Sequence, residues 1–143
     1  MTSARDMQSA RIALHRIPQA AAFAAIGSAI SNVLVWLLGT LFGQMTISVP
    51  EVVIFSIIGV IGGAGVYAIL GKWTRQPLRI FIIISVVVLV LYAFGPIAAA
   101  QEPYMQGVER FTTTTVIATE LMHLISGAWI IGMFTRQTYS IPI

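Results

Sequence analysis

Glu120 and His123 are the only carboxylate and imidazole set inside an apolar run of this sequence, three residues apart in "TELMHLISG". Residues three apart on a helix project from one side, so the two groups can act together. An ionised group at the centre of a membrane helix costs about 2.5–3.5 kcal/mol, and each Leu, Ile or Phe returns about 0.3–0.6 kcal/mol. Ile117, Leu121, Leu124, Ile125, Ile130, Ile131 and Phe134 therefore roughly offset Glu120. The helix inserts, but the face carrying the pair must turn towards protein.

Four chemistries compete for the pair. The first is a polar clasp, in which Glu120, His123 and Asn32 satisfy one another and fix the register of a helix bundle. The second is a proton or ion relay, with Thr119, Thr115 and Thr112 as stations on one side of Glu120 and Ser126 on the other. In the third, His123 alone ligates a flat tetrapyrrole, with Gly127 expected to leave open space beside the imidazole. The fourth is a metal. Glu-x-x-His is half of a di-iron bundle signature, which needs a second such motif and two more carboxylates. No other apolar run contains Asp or Glu, and zinc asks for at least three protein ligands. No metal site is expected.

The elements that must position these residues are legible from composition. Of the 143 residues, 57% are hydrophobic and 9% charged, against about 25% charged in a soluble domain. The mean hydropathy is +0.90. A helical span needs about 20 apolar residues, and four stretches qualify: 20–42, 52–70, 80–100 and 113–134. They occupy most of residues 1–143, leaving a single transmembrane domain and no soluble one. The expected fold is all-α, an integral membrane four-helix bundle.

Charge sets the expected orientation. Of the eight Lys and Arg, all but Arg110 flank the chain ends of the bundle or the 71–79 loop, while Glu51, Glu102 and Glu109 gather on the other side. Basic residues near span ends stay on the cytoplasmic side. Both termini are therefore expected inside, in a multi-pass protein of the inner (cytoplasmic) membrane. This placement, rather than a net charge of +3, excludes nucleic acid as the partner. The chain has no cysteine, so disulfides, thiol catalysis and thiolate metal sites are absent.

Within the spans, small residues predict close packing. Ala20, Ala24, Ser28 and Asn32 recur at four-residue intervals in the first, and Ser56, Gly59, Gly63 and Tyr67 share a face of the second. Gly59 and Gly63 are read as packing inside the bundle, with self-association as the alternative. Ser48-x-x-Glu51, with Pro50 between, reads as a capping box at a helix start. The third span, "IFIIISVVVLVLYAF", is apolar all round and suits lipid or another membrane protein. Residues 3–17 carry Met7, Ala10, Leu14 and Ile17 at helical spacing, an interfacial helix with its cations towards anionic headgroups. Trp73, Tyr104 and Tyr139 read as interface anchors.

The closing "ATELMHLISGAWIIGMFTR" resembles the last helix of small uncharacterised bacterial four-span membrane proteins, which end in a His-bearing helix followed by a basic residue. The resemblance implies four spans and a bacterial origin, and carries no established activity.

No Gly-x-Ser-x-Gly elbow or phosphate-cradling Gly loop before a Lys occurs, so no enzymatic activity is expected. The leading functional expectation is a non-catalytic accessory subunit of a larger bacterial membrane complex. Its partners would be lipid and other subunits, or itself as a homo-oligomer. The alternative is a small oligomeric transporter or proton-conducting protein using Glu120 and His123. No cofactor is required by the pattern, which leaves room for a tetrapyrrole on His123 or a lipid or quinone between helices.

Overall fold

A computed structural model describes residues 13–74, 76–101 and 109–138. Four helices make up nearly all of it: α1 (Ile17–Phe42), α2 (Val49–Trp73), α3 (Pro77–Gln101) and α4 (Thr113–Thr138), with a single 3-10 turn at Leu14–Arg16 leading into α1. Each is long and apolar enough to cross a bilayer, as befits a multi-pass membrane protein. In hydrocarbon every backbone N–H and C=O must be paired within the segment, so an apolar run of this length has no alternative to the helix, β-branched or not. The helices overrun several of the expected spans by about a turn, because backbone pairing continues into the interface after hydropathy falls. Most of the expected interfacial helix over 3–17, together with Tyr104 and Tyr139, lies outside the described residues.

Local signals set the starts and stops. Pro18 and Pro50 occupy the first turns of α1 and α2, and Pro77 opens α3. A first-turn N–H has no intrahelical partner, so proline costs nothing there. Ser48 caps α2: its backbone N–H and its hydroxyl both donate to one oxygen of Glu51, at 2.6 and 2.7 Å. At the far end of α2, the Thr74 hydroxyl and N–H both reach the Leu70 carbonyl.

The short links make neighbouring helices antiparallel. α1 packs on α2 and α4, α3 packs on α4 and α2, and α2 meets α4 across the diagonal. One end carries both described chain ends together with Arg16, Lys72, Arg79 and Arg136. There Tyr67, Phe81 and Phe134 form an aromatic knot with Ile17 and Ala20, drawing all four helices together. The Tyr67 and Phe134 rings stack at 5.2 Å, and Phe81 meets Tyr67 at 60° and 4.8 Å.

The other end, which carries the 43–48 loop, is held by polar stitches. The Thr46 N–H donates to the Thr115 hydroxyl at 2.9 Å, and the Thr112 hydroxyl donates to the Gln44 carbonyl at 2.6 Å. The Trp36 indole N–H donates to the Ile47 carbonyl at 2.7 Å. Beneath the stitches Val35, Val52, Ala118 and Met122 pack as a second apolar cluster.

Candidate functional site: the polar middle of the bundle

The buried stripe of α1 is Ala20, Ala24, Ser28 and Asn32, at the four-residue spacing of the sequence. It is small because α4 lies close: a side chain at Gly27 would strike the Trp129 indole, at 2.7 Å from a Cβ. Trp129 is held there by its own N–H, which donates to the Ser31 hydroxyl at 3.1 Å.

Asn32 is only 3% exposed and sits at the crossing of three helices. Its amide N–H groups reach the hydroxyls of Ser56 on α2, at 2.8 Å, and Ser126 on α4, at 2.9 Å. Ser126 and Ser28 lie 2.7 Å apart, and the Ser56 hydroxyl donates onward to the Val52 carbonyl at 2.7 Å. Because the Ser56 hydrogen is committed to that carbonyl, its oxygen must accept, which fixes the amide with nitrogen towards Ser56. The Asn32 carbonyl oxygen carries no hydrogen bond.

The expected clasp of Asn32 with Glu120 and His123 is therefore not how Asn32 is satisfied. Three serines close it. His123 turns to a different neighbour: its ring meets Tyr92 of α3 at 5.8 Å and 85°. One turn on, Gly127 accommodates the Leu89 side chain of α3, 2.8 Å from where a Cβ would stand. Leu89 thus fills the space that was expected to be open beside the imidazole. His123 and Gly127 thus lie on the α3-facing side of α4, with Glu120 one turn before His123, whereas Ser126 faces α1. Glu120 Oε1 and His123 Nδ1 are buried and carry no hydrogen bond. At a rise of 1.5 Å per residue, Glu120 lies about 10 Å from the start of α4, well inside a span.

α3 has its own irregularity here. Pro96 stands inside the helix and is buried, and with no N–H it cannot pair with the carbonyl of Tyr92. The residue edge-on to His123 therefore also carries a backbone acceptor without its helical partner. The reading of the third span as uniformly apolar passed over this Gly95–Pro96 step. A proline inside the span was the available signal, because it frees a carbonyl one turn back.

The glycines of α2 divide. A Cβ on Gly63 would touch Ile130 of α4 at 3.1 Å, whereas one on Gly59 or Gly62 would meet nothing within 4 Å. Gly63 packs within the bundle and Gly59 looks outward. Among the described residues no three His, Cys, Asp or Glu side chains gather as a metal set.

These features define a class, a four-helix membrane-spanning bundle with a serine–asparagine clasp at its centre and an unpaired carboxyl–imidazole pair on the last helix. More particularly, the chain belongs to DUF6069, a family of unknown function whose model matches residues 12–140. No curated protein and no solved structure matches it.

Proposed function

We propose that this chain is a small proton- or cation-handling membrane protein that works through Glu120 and His123. One observation carries the reading: the centre of the bundle is tied by Asn32 and its serines, without help from the pair. Ionisable groups within a span are costly and mark ion or proton pathways unless they are spent on structure. Here both keep a buried polar atom without a hydrogen bond. The hydroxyls of Thr115 and Thr119 lie on α4 between its start and Glu120, and Thr112, just before the helix, contacts Thr115 at 2.9 Å.

In this proposal the end bearing Arg16, Lys72, Arg79 and Arg136 faces the cytoplasm and the protein lies in a bacterial inner membrane, as positive charge at span ends favours. The test is flux. Purified protein in liposomes should dissipate a pH gradient, and Glu120→Gln should abolish this while migrating unchanged on a native gel. Equal flux from wild type and Glu120→Gln would sink the reading.

A second reading, a non-catalytic accessory subunit, draws on α3. Ile83, Val86, Val87, Val90, Leu91 and Phe94 are all more than half exposed, which suits a neighbouring subunit as well as lipid. Mild extraction followed by native-gel separation distinguishes it. A chain that runs within a larger complex, with Glu120→Gln releasing it, supports the subunit; a chain that runs alone removes that support.

A further inference from the structure

Apolar side chains pack the bundle core on either side of the pair. At the basic end these are Ile17, Tyr67, Phe81 and Phe134, none more than 6% exposed. Towards the loop end, Val35, Val52, Ala118 and Met122 fill the space between α1, α2 and α4. Sideways the surroundings differ. Tyr92, which touches the His123 ring, is 62% exposed, and Leu121 and Leu124 beside the pair are exposed as well. The seam between α3 and α4 therefore gives onto the surface that faces hydrocarbon.

What arrives through such a seam must first dissolve in the bilayer. Beside the seam lie Glu120 and His123, each partly exposed and each with one polar atom, Oε1 and Nδ1, buried without a hydrogen bond, and the Tyr92 ring. The remaining described charges lie at the two ends of the bundle: Glu51, Glu109 and Arg110 at one, Arg16, Lys72, Arg79 and Arg136 at the other. Among the described residues no fixed cation is at hand to neutralise an ionised Glu120. A ligand that carries its own positive charge meets that need, and an aromatic ring beside a desolvated cation adds to the attraction. A neutral quinone would leave the carboxylate without a counter-charge.

We infer that Glu120, His123 and Tyr92 form a binding site, open sideways to the bilayer, for a lipophilic organic cation that exchanges with the proton of Glu120. This rests on the proposed function and names its substrate class. The exchange balances: the carboxyl O–H bond breaks, its proton passes to water, and the cation takes its place beside the carboxylate. His123 is a positioning residue, whose ring meets Tyr92 at the seam.

The experiment uses the full chain in lipid nanodiscs with radiolabelled tetraphenylphosphonium as the probe. Saturable binding is expected, with one proton released into weakly buffered solution for each cation bound. Glu120→Gln should weaken binding at least tenfold, Tyr92→Ala should weaken it roughly threefold to thirtyfold, and Tyr92→Phe should keep it. Absence of saturable binding, or equal binding by Glu120→Gln, overturns the site. So does saturation by neutral decylubiquinone with no binding of the cation. Glu120-dependent proton flux without tetraphenylphosphonium binding sinks the cation site alone, whereas neither flux nor binding sinks the functional reading with it.

Discussion

Asn32 and Ser126 meet at 2.9 Å in the middle of the bundle, although 94 residues separate them in the chain. With Ser56 as the second partner, one amide ties the first, second and fourth helices at one depth. An interhelical hydrogen bond in a membrane contributes about 0.6 kcal/mol on average, up to about 1.7 kcal/mol. Replacing Asn32 by Ala removes two such bonds and leaves a small void. The expected loss is roughly 1–2 kcal/mol, read as an earlier midpoint in a denaturing-detergent titration. An unchanged midpoint would mean that the serines satisfy themselves on their own helices.

The contact of Gly27 with Trp129 predicts a sharp contrast between glycines. A methyl at Gly27 overlaps the indole and pushes Trp129 off Ser31, so Gly27→Ala should cost about 1–3 kcal/mol, the usual range for overpacking. Gly59→Ala and Gly62→Ala add their methyls in open space and should leave monomer stability unchanged or raise it slightly. Thermal unfolding of the three variants in one detergent settles the order. If Gly59→Ala instead changes the mass of a crosslinked species, that face joins two copies.

The Ser48–Glu51 cap makes a separate, local prediction. Ser48→Ala removes the hydroxyl that donates to Glu51, leaving the backbone N–H as the carboxylate's remaining donor there. Loss of a capping side chain costs about 1 kcal/mol. Amide hydrogen exchange should accelerate over the first turn of α2 and stay unchanged near Asn32. Faster exchange throughout the bundle would mean that the cap supports more than its own turn.

Pro96→Ala tests whether the break in α3 serves the site. Alanine restores a donor to the Tyr92 carbonyl and raises intrinsic helix propensity, so thermal stability should hold or increase. If the freed carbonyl and the placement of Tyr92 matter to the pair, proton flux should fall severalfold in the same variant. Full flux in a more stable protein would make Pro96 a feature of packing alone.

Much of this architecture was legible because lipid leaves the chain few choices. Hydropathy found all four helices, and the Ser48, Pro18 and Pro50 signals found two starts, because those effects act within a few residues of sequence. The four-residue rhythm of Ala20, Ala24, Ser28 and Asn32 likewise pointed to a close interface, since a helix repeats its face at that interval. Partner choice was harder. Asn32 had Glu120, His123 and three mid-span serines within plausible reach, and only the rotation of α4 decides among them. That rotation sends Ser126 to Asn32 and His123 to Tyr92 of α3. It depends on Trp129 against Gly27 and Leu89 against Gly127, contacts between residues about 100 and 40 positions apart that no local pattern encodes.

The polar stitches at the loop end also bear on how the protein is made. Thr46 and Gln44 find their partners in Thr115 and Thr112, at the threshold of the last helix. Until synthesis reaches that point, the rim of the first hairpin has the Trp36–Ile47 bond alone among these stitches, and the Asn32 amide has Ser56 as its one partner on another helix. The final helix thus closes both the centre and the rim in one event. A chain without it would keep only Ser56 for the Asn32 amide on another helix, and would leave the Thr46 N–H and the Gln44 carbonyl without Thr115 and Thr112.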